Sequence, residues 1–390
     1  MTARTQTPLV QTAARIAREV AGPNASSVDR DARFPQETID ALKQARLLSA
    51  FVPVELGGFG TGMVELSQMC EVLGQHCSSA AMVFAMHQIQ VACLVRHGND
   101  STYITRYLRT LCERQNLIAS VTSEVGVGGE MRTSVCAVER SAEGFKLDKN
   151  ASTISYGEHA DDLLVTARRG PEAPPADQSL VLLSKGQYTL EKTGAWDTLG
   201  MRGTCSPSFK LSSQGPSECV MTQPFAEIAS YTMVPFSHIL WASCWLGIAT
   251  AAVSRARAFV RSQARAKPGQ TPPSALRLAE VAGMLQLMRA NVHDVALECE
   301  TLMSGADAGL DVLSTIAFAL KMNNLKVSTS QILFDITHRC LGICGIMGYK
   351  NDSKYSIGGY LRDALSAALM VSNDRIYATN AAMLLVLKED

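Results

Sequence analysis

Apolar residues recur at helical spacing over the first 115 or so positions of the chain. The segment SSVDRDARFPQETIDALKQARLLSAFVP carries Pro35 near a predicted helix start and apolar residues every three or four positions through Leu47. The glycine-rich stretch ELGGFGTG interrupts this pattern, and two strongly apolar helices are predicted to follow it. The pattern predicts a helical N-terminal domain over residues 1–116.

The spacing changes between residues 117 and 225. Short segments rich in β-branched residues are separated there by Gly, Pro, Asp and Ser; they are LIASVTSE, SVCAVER, FKLDKNASTISY, DDLLVTARR, SLVLLSK and FKLSS. These segments predict the strands of a central antiparallel β domain, with GPEAPPADQ as a surface loop.

Long helical segments return from residue 226 and predict a C-terminal helical bundle over residues 226–390. SHILWASCWLGIATAAVSRARAFVRSQARA is apolar on most faces and is predicted to be buried, whereas SALRLAEVAGMLQLMRANVHDVALECETLMSG is amphipathic. Two further segments, ending in CLGICG and in MLLVLK, supply the last two helices. The order contains no βαβ alternation, so it favours an α+β multidomain fold over a doubly wound parallel sheet.

Composition indicates which classes of protein and of binding partner can be set aside. Hydrophobic residues make up 47% of the 390 positions, and 36 basic residues balance 36 acidic ones, which argues against disorder and against a nucleic-acid partner. The eleven cysteines lie mostly inside apolar segments, as is typical of reduced thiols in a cytoplasmic protein. Neither a secretory signal, a membrane span nor a metal-ligand set is expected from the sequence.

Four glycine- or hydroxyl-rich stretches are candidates for a binding site. SVTSEVGVGG is predicted to be a strand entering a turn, and STISYG a strand end that places Thr153 and Ser155 on one face. In WDTLGMRGTCS the arginine could equally hold loop carbonyl groups. In CLGICGIMGY the recurring glycines Gly342, Gly345 and Gly348 allow close approach by a helix or a cofactor, and packing alone explains them as well.

The order of these pieces resembles the acyl-CoA dehydrogenase family along nearly the whole chain. FPQETIDALKQARLLSAFVPVELGGFG is similar to the family's N-terminal segment, SVTSEVGVGG to its LTEPGAGSD segment, and LDKNASTISYGEHADDLLVTAR to its NGxKxWITN segment. WDTLGMRGTCS matches GxRGTxS, and YLRDA matches the late RDA motif. The resemblance implies an α-helical N-terminal domain, a central β domain and a C-terminal four-helix bundle, with FAD between the last two.

The resemblance also assigns roles to individual positions. Thr122 and Ser123 match residues at the edge of the isoalloxazine ring, and Thr153 and Ser155 match the aromatic residue and threonine of WIT. Gly128 and Gly129 match the turn beside flavin and thioester, and Arg265 matches the arginine that reaches the partner subunit's FAD. Gly345 is assigned to the cofactor because the segment 342–348 matches the family's QxxGGxG segment. Asn373 and Arg375 follow the position of the family's catalytic glutamate and match residues that touch flavin.

Several of these positions depart from the family pattern. Thr153 replaces an aromatic platform, Pro268 replaces the phenylalanine of RxxFG within RAKPG, and Gly342 replaces a glutamine. FAD binding is therefore expected, but through side chains that differ from those of the family at several positions. A homotetramer or homodimer is expected, because the family completes each FAD site with a neighbouring subunit.

The family's catalytic base is missing at both of its usual positions. The glutamate that lies eight residues after the Asp of RDA is Val371 here, and the alternative position on the long helix is Ser237. Two ionisable side chains lie nearby in the sequence. Asp374 follows Val371 by three residues, about one helical turn, and His238 matches an arginine that lines the family's site. Either could accept a proton, or each could have a purely structural role.

The resemblance predicts α,β-dehydrogenation of an acyl thioester, on CoA or a carrier protein, with a non-standard base. Catalysis would require a desolvated base for the α-proton and hydrogen bonds to the thioester carbonyl, with Gly129, His238 and Val371 against the substrate. An electron-accepting flavoprotein or oxygen would reoxidise the flavin. The alternatives are a flavin-dependent monooxygenase, which on this fold lacks the glutamate, and a catalytically silent flavoprotein.

Overall fold

Helices open the chain, as the apolar spacing predicts. The structure, a computed structural model, describes residues 6–128, 130–305 and 307–387. The first helices are α1 (Pro8–Ile16), α2 (Gly22–Arg30), α3 (Gln36–Gln44), α4 (Met63–Gly74), α5 (Ser78–His97) and α6 (Thr102–Arg114), and a π-helical turn, Ala17–Ala21, joins the first two. Pro35 directly precedes α3, and the Ser101 hydroxyl caps α6 by accepting a hydrogen bond from the amide of Ile104.

The described residues of the central domain form seven strands in two sheets. They are β1 (Ile118–Val121), β2 (Glu139–Ser141), β3 (Gly144–Ala151), β4 (Asp162–Arg168), β5 (Gln178–Ser184), β6 (Tyr188–Lys192) and β7 (Phe209–Gly215). One sheet has the order β1-β4-β5 and the other β2-β3-β7-β6. All neighbouring strands are antiparallel except β1 and β4, which run parallel. The fold class predicted from the sequence is confirmed, with this one parallel pair added.

Three details of the β domain differ from the predicted strands. Strand β6 lies in a segment for which the sequence predicts none, because its alternation is short: only Tyr188 and Leu190 are half-buried, and the other side chains of the strand are exposed. Strand β3 ends at Ala151, so Thr153 and Ser155 lie in the turn beyond it rather than on one strand face. In SVCAVER only Ala137 pairs, with Arg168, before β2 begins at Glu139.

Long helices and shorter ones between them form the C-terminal domain. They are α7 (Phe225–Ile228), α8 (Val234–Ala266), α9 (Ser274–Ser304), α10 (Asp307–Leu313), α11 (Ile316–Cys344), α12 (Ile346–Tyr349), α13 (Gly358–Ala367) and α14 (Asn373–Leu384). Helix α8 packs against α4, α5, α9 and α11, which explains why it is apolar on most faces. It approaches α4 closely at Gly247, where an added Cβ would lie 2.3 Å from the Glu71 carbonyl oxygen.

The last predicted helical segment is broken in two. Helix α13 ends at Ala367 and α14 begins at Asn373, and Val371 between them has a φ of 46°. A β-branched residue in this left-handed region is strained and ends helical geometry. Val371 and Asp374 are therefore not one turn apart on a single helix; residues 368–372 form a turn, called here the α13–α14 turn.

Within the described part of the chain, two helical segments are long and apolar enough to cross a membrane by length and composition. Ser78–His97 and Phe225–Ala266 each contain a window with a mean hydropathy of 1.4, yet 89% of each window is buried inside the protein. Their apolar character is accounted for by their place in the core, where α5 and α8 pack on each other.

Candidate functional site

The candidate site lies where the turns that follow β1 and β3 meet the C-terminal domain. Ser123, just after β1, accepts a hydrogen bond from the backbone amide of Thr153 at 3.2 Å, and its hydroxyl lies 2.5 Å from the Thr153 carbonyl oxygen. Thr122 beside it is half-buried. The structure thus brings together the hydroxyl groups of two of the predicted flavin-contacting segments.

A chain of hydroxyl groups continues from Ser155 into the RGT loop. Ser206 Oγ lies 2.9 Å from both Ser155 Oγ and Thr204 Oγ1, and Thr204 Oγ1 donates to the Met201 carbonyl at 2.8 Å. Arg202 in the same loop donates to the carbonyl groups of Asp29 and Thr198, so it holds the loop. The loop contributes hydroxyl groups to the site, while its arginine points elsewhere.

Asp363 of the RDA motif ties the C-terminal domain to this loop. Its Oδ1 accepts a hydrogen bond of 2.7 Å from the Met201 amide, and burial raises the pKa of the carboxyl to about 6. The backbones approach so closely here that a Cβ on Gly200 would lie 2.2 Å from the Arg362 carbonyl oxygen. This contact fixes the position of α13, and with it the turn that follows.

Arg375 connects the start of α14 to the glycine-rich turn after β1. Its guanidinium donates to the carbonyl oxygen of Gly128, so two residues predicted to contact the cofactor meet directly. Gly128 has a φ of 58°, and an added Cβ would find nothing within 4 Å, so open space lies beside the turn. Gly129, predicted to contact substrate, lies outside the described residues.

The positions of the missing base hold no acid. Val371 is 43% exposed on the α13–α14 turn, and Ser237 is buried at the start of α8. Asp374 lies in the first turn of α14, where its side chain is exposed. Neither of the family's usual positions for the base therefore carries a carboxylate in this chain.

His238 is a buried neutral imidazole. Its Nδ1 lies 3.1 Å from the Met322 carbonyl oxygen, and burial, with a smaller contribution from the charge of Lys326, lowers its pKa to about 4. A carbonyl group can only accept, so Nδ1 carries the proton and Nε2 keeps its lone pair. The Trp241 ring lies next to it, with centroids 6.2 Å apart.

Lys326 on α11 is a site residue that the sequence reasoning missed. Its side chain is fully buried, and Nζ donates to Asn373 Oδ1 at 2.7 Å and to the Val371 carbonyl oxygen at 3.3 Å. Burial lowers the pKa of its ammonium group to about 8. The only sequence signal for this residue is a lysine between the apolar residues Leu325 and Val327. That signal does not show which residues the lysine contacts. Asn373, predicted to touch flavin, uses its amide on Lys326 and Ser330.

A buried ion pair supports the turn after β1. Glu124 and Lys149 are 3.7 Å apart, and Lys149 also donates to the Thr166 carbonyl oxygen at 2.7 Å. Burial favours the neutral acid, but the Lys149 charge and hydrogen bonds from Ser134, Cys136 and Val135 outweigh it and lower the pKa of Glu124. The pair was also missed, because it joins the turn after β1 to β3, and no local sequence pattern reveals that contact.

Arg265 and Gly345 lie apart from these residues, at the C-terminal ends of α8 and α11. Arg265 is exposed, and Gly345 has a φ of 55° with open space where a Cβ would be. Ile346 and Tyr349 beside Gly345 are also largely exposed, at 69% and 72%. The sequence assigns Arg265 to a partner subunit's FAD and Gly345 to the cofactor, and both assignments stay predictions.

This fold and site define a class. The chain matches the N-terminal domain of acyl-CoA dehydrogenase over residues 3–115 and its C-terminal domain over residues 229–374. It therefore belongs to the acyl-CoA dehydrogenase family, a flavin-binding family of oxidoreductases. A curated relative is the mitochondrial isovaleryl-CoA dehydrogenase of Solanum tuberosum, 25% identical over 368 residues that cover 92% of this chain and 85% of the relative.

Solved structures share the fold at lower identity. The FMN-bound protein TdsC from Paenibacillus sp. A11-2, a dibenzothiophene monooxygenase, superimposes with a TM-score of 0.83 at 18% identity over 97% of each chain. A nitrososynthase from Micromonospora carbonacea var. africana superimposes with a TM-score of 0.81 at 18% identity over 98% of each chain. These likenesses establish the fold.

The residues present fit a flavin. A flat ring with a polar edge needs hydrogen-bonding groups on one side and space on the other. Hydroxyl groups of Ser123, Thr153 and Ser155 and an open glycine turn at Gly128 meet that need. The small side chain of Thr153, at the family's aromatic position, leaves more room at this face.

Proposed function

We propose that the protein is an FAD-dependent oxidoreductase that dehydrogenates an acyl thioester carried on CoA or on a carrier protein. The match to both helical domains of the family and the similarity to an isovaleryl-CoA dehydrogenase support this reaction class. Bound FAD would supply an acceptor for the hydride that leaves the β-carbon. The chain itself must then orient the thioester, exclude water and accept the α-proton.

The flavin would be held between the β domain and the C-terminal domain. Thr122 and Ser123 would face one edge of the ring, and Ser155, through Ser206, would present a second hydroxyl. Gly128 and Arg375 would border the ring, since they join the two domains there. Gly129 and Val371 would contact the thioester, as their matches in the family do.

We assign proton acceptance to His238, and the carrying observation is the hydrogen bond between its Nδ1 and the Met322 carbonyl. This bond holds the proton on Nδ1 and leaves the Nε2 lone pair available as a base. The pKa of about 4 is close to that of a carboxylate, so the neutral imidazole is present throughout the physiological range. Ser237 precedes His238 at one of the family's base positions.

Asp374 is the second candidate for the base. Its carboxylate is exposed, so it could act only if flavin and substrate together excluded water from the start of α14. His238 is already dry and oriented, which favours it over Asp374.

Paired variants test the assignment. In the FAD-loaded protein, His238→Ala should abolish exchange of the α-proton of an acyl thioester with solvent deuterium, read by mass spectrometry. Asp374→Asn should leave exchange within about two-fold of wild type, because its carboxylate lies in water. Full exchange in both variants would exclude both residues as the base.

A flavin-dependent monooxygenase is the second candidate function. The favouring observation is that the two positions of the family's carboxylate hold Val371 and Ser237, since oxygen transfer to nitrogen or sulfur needs no α-proton acceptor. The similarity of the fold to TdsC and to a nitrososynthase is consistent with it. Protein that is colourless as purified, and that forms product only with externally reduced flavin and oxygen, would support this candidate. Protein with no affinity for flavin in either redox state would be catalytically silent.

The proposed enzyme is a homodimer or homotetramer in which Arg265 and Gly345 complete the FAD site of a partner subunit. Their exposed surroundings at the ends of α8 and α11 support this arrangement. Reoxidation would use an electron-accepting flavoprotein or oxygen. Sedimentation of Gly345→Asp should show weaker association together with loss of bound FAD.

A further inference from the structure

The ammonium group of Lys326 lies in the interior of the C-terminal domain without a carboxylate to balance it. Its side chain is fully buried, a rare state for lysine unless it is paired. Its two hydrogen bonds go to Asn373 Oδ1 and to the Val371 carbonyl oxygen, and no acidic side chain among the described residues forms a salt bridge with it. Burying an ammonium group costs solvation free energy, so its presence here points to a role beyond packing.

These two hydrogen bonds attach Lys326 to two residues of one short segment, Val371 and Asn373. Val371 lies within the α13–α14 turn and Asn373 is the first residue of α14. Asn373 also donates to Ser330 Oγ at 3.1 Å, one turn beyond Lys326 on α11. Helix α11 therefore holds the turn by a backbone carbonyl and by a side-chain amide.

The position of the turn sets the geometry of the candidate site. Val371 matches the position of the catalytic glutamate in the family. Arg375, two residues beyond Asn373, donates to the Gly128 carbonyl oxygen on the β domain. A shift of the turn would move both groups. The left-handed φ of Val371 shows that its backbone is not in a relaxed conformation and needs contacts to hold it.

We propose that Lys326 is a positioning residue that clamps the α13–α14 turn against α11, and that the clamp weakens when its amine loses a proton. A charged donor makes a hydrogen bond roughly twice as strong as a neutral one, so the protonated form holds Val371 and Asn373 more tightly. Since the pKa of this ammonium group is lowered to about 8, the change falls just above neutral pH.

The other ionisable groups around Lys326 are engaged elsewhere or exposed. His238 on α8 is neutral and bonded to Met322, and Asp374 and Arg375 on α14 are exposed. On α9 and α13, these charged groups pair away from Lys326: Arg289 and His293 with Glu71, Glu298 with Lys321, Glu280 with Arg339, Arg362 with Asp29, and Asp363 with the Met201 amide. Glu300 on α9 accepts a hydrogen bond from the Val64 amide, and Arg277 and Asp294 on the same helix are exposed. Helices α10 and α12 also pack on α11, and Asp311 and Tyr349 on them are exposed. A change in the turn near pH 8 would therefore come from Lys326.

Hydrogen exchange in flavin-free protein tests the clamp directly. At one neutral pH, amides of residues 369–373 should exchange at least ten-fold faster in Lys326→Met than in wild type, whereas amides of β4 and β5 should not change. Lys321→Met is the matched control, because Lys321 lies on the same helix in an exposed pair with Glu298. Exchange in the turn that equals wild type in Lys326→Met would overturn the proposal.

The pH dependence of FAD affinity tests the charge, and this readout rests on the proposed function. The dissociation constant of wild type, measured by flavin fluorescence, should rise several-fold between pH 7 and 9.5. Lys326→Arg, which stays charged, should bind with little change over this range, and Lys326→Met should bind about ten-fold more weakly at every pH. An unchanged wild-type profile in Lys326→Met would contradict the clamp. Wild type that binds no FAD at all would instead refute the proposed function, while the exchange experiment would still decide on the clamp.

Discussion

Among the residues that the structure describes, two lysine side chains are fully buried, and their surroundings differ. Lys149 in the β domain lies 3.7 Å from Glu124, which itself accepts hydrogen bonds from Ser134, Val135 and Cys136. Among the described residues, Lys326 in the C-terminal domain hydrogen-bonds only a carbonyl and an amide oxygen, and its ammonium group lies 5.9 Å from the centre of the Trp245 ring. The charge of Lys149 is balanced by Glu124 within the β domain. The charge of Lys326 has no such counter-charge, and it lies against the α13–α14 turn of the candidate site.

The difference separates a structural charge from a candidate functional one. A buried ion pair whose remaining groups are all hydrogen-bonded maintains local geometry, and it supports the turn that carries Ser123 and Gly128. A buried ammonium without a counter-charge titrates near neutral pH and responds to its surroundings. The two lysines therefore predict different responses to the same substitution.

Lys149→Met should have the largest effect on stability. It leaves the Glu124 carboxylate buried without its cation, which typically destabilises a protein by about 3–5 kcal/mol. Urea unfolding followed by far-UV circular dichroism measures this loss. The double variant Glu124→Gln/Lys149→Met should recover part of it, because the uncompensated charge is gone; a double variant less stable than the single one would show that the pair is not the cause.

Buried ion pairs such as Glu124–Lys149 could not be predicted from the sequence. The order of helices and strands follows from apolar spacing, and the family motifs placed Ser123, Ser155, Gly128 and Arg375 in segments that the structure brings together. Glu124 and Lys149 meet only through contacts between β1, β3 and their neighbours, which no local pattern encodes. The break at Val371 was missed for a similar reason, since contacts from α11 hold a backbone conformation that the local sequence disfavours.

The pH dependence of stability should show the unbalanced charge of Lys326. Its pKa is about 8 in the folded protein and 10.5 in the reference state, so between these values the unfolded chain binds more protons and stability rises with pH. Relative to Lys326→Met, wild type should gain up to about 3 kcal/mol from pH 8 to 10.5. Denaturant midpoints of both proteins across this range provide the measurement. Parallel curves would mean that Lys326 does not titrate as a buried cation.

Asp363 offers the same comparison with the opposite charge. Burial raises the pKa of its carboxyl from 3.8 to about 6, so the folded state binds more protons between these values and stability falls as pH rises through this window. Relative to Asp363→Asn, wild type should lose about 2–3 kcal/mol between pH 4 and 6. Thermal unfolding at several pH values checks this, and a rise in relative stability would contradict the assigned cause.

Lys326→Met should have the smallest effect on stability at pH 7. The hydrogen bonds lost to Asn373 and Val371 are offset by the cost of burying a charge, so the net change should lie within about 1 kcal/mol. Urea unfolding alongside Lys149→Met gives the contrast between the two lysines. A loss as large as that of Lys149→Met would mean that both charges are structural.

The flavin absorption band during anaerobic titration with acyl thioesters tests the central claim most directly. Wild-type protein loaded with FAD should lose its oxidised band on addition of a suitable acyl thioester without oxygen, and His238→Ala should keep it. A band that persists in wild type with all acyl thioesters, while reduced flavin and oxygen give an oxygenated product, would contradict dehydrogenation and support the monooxygenase.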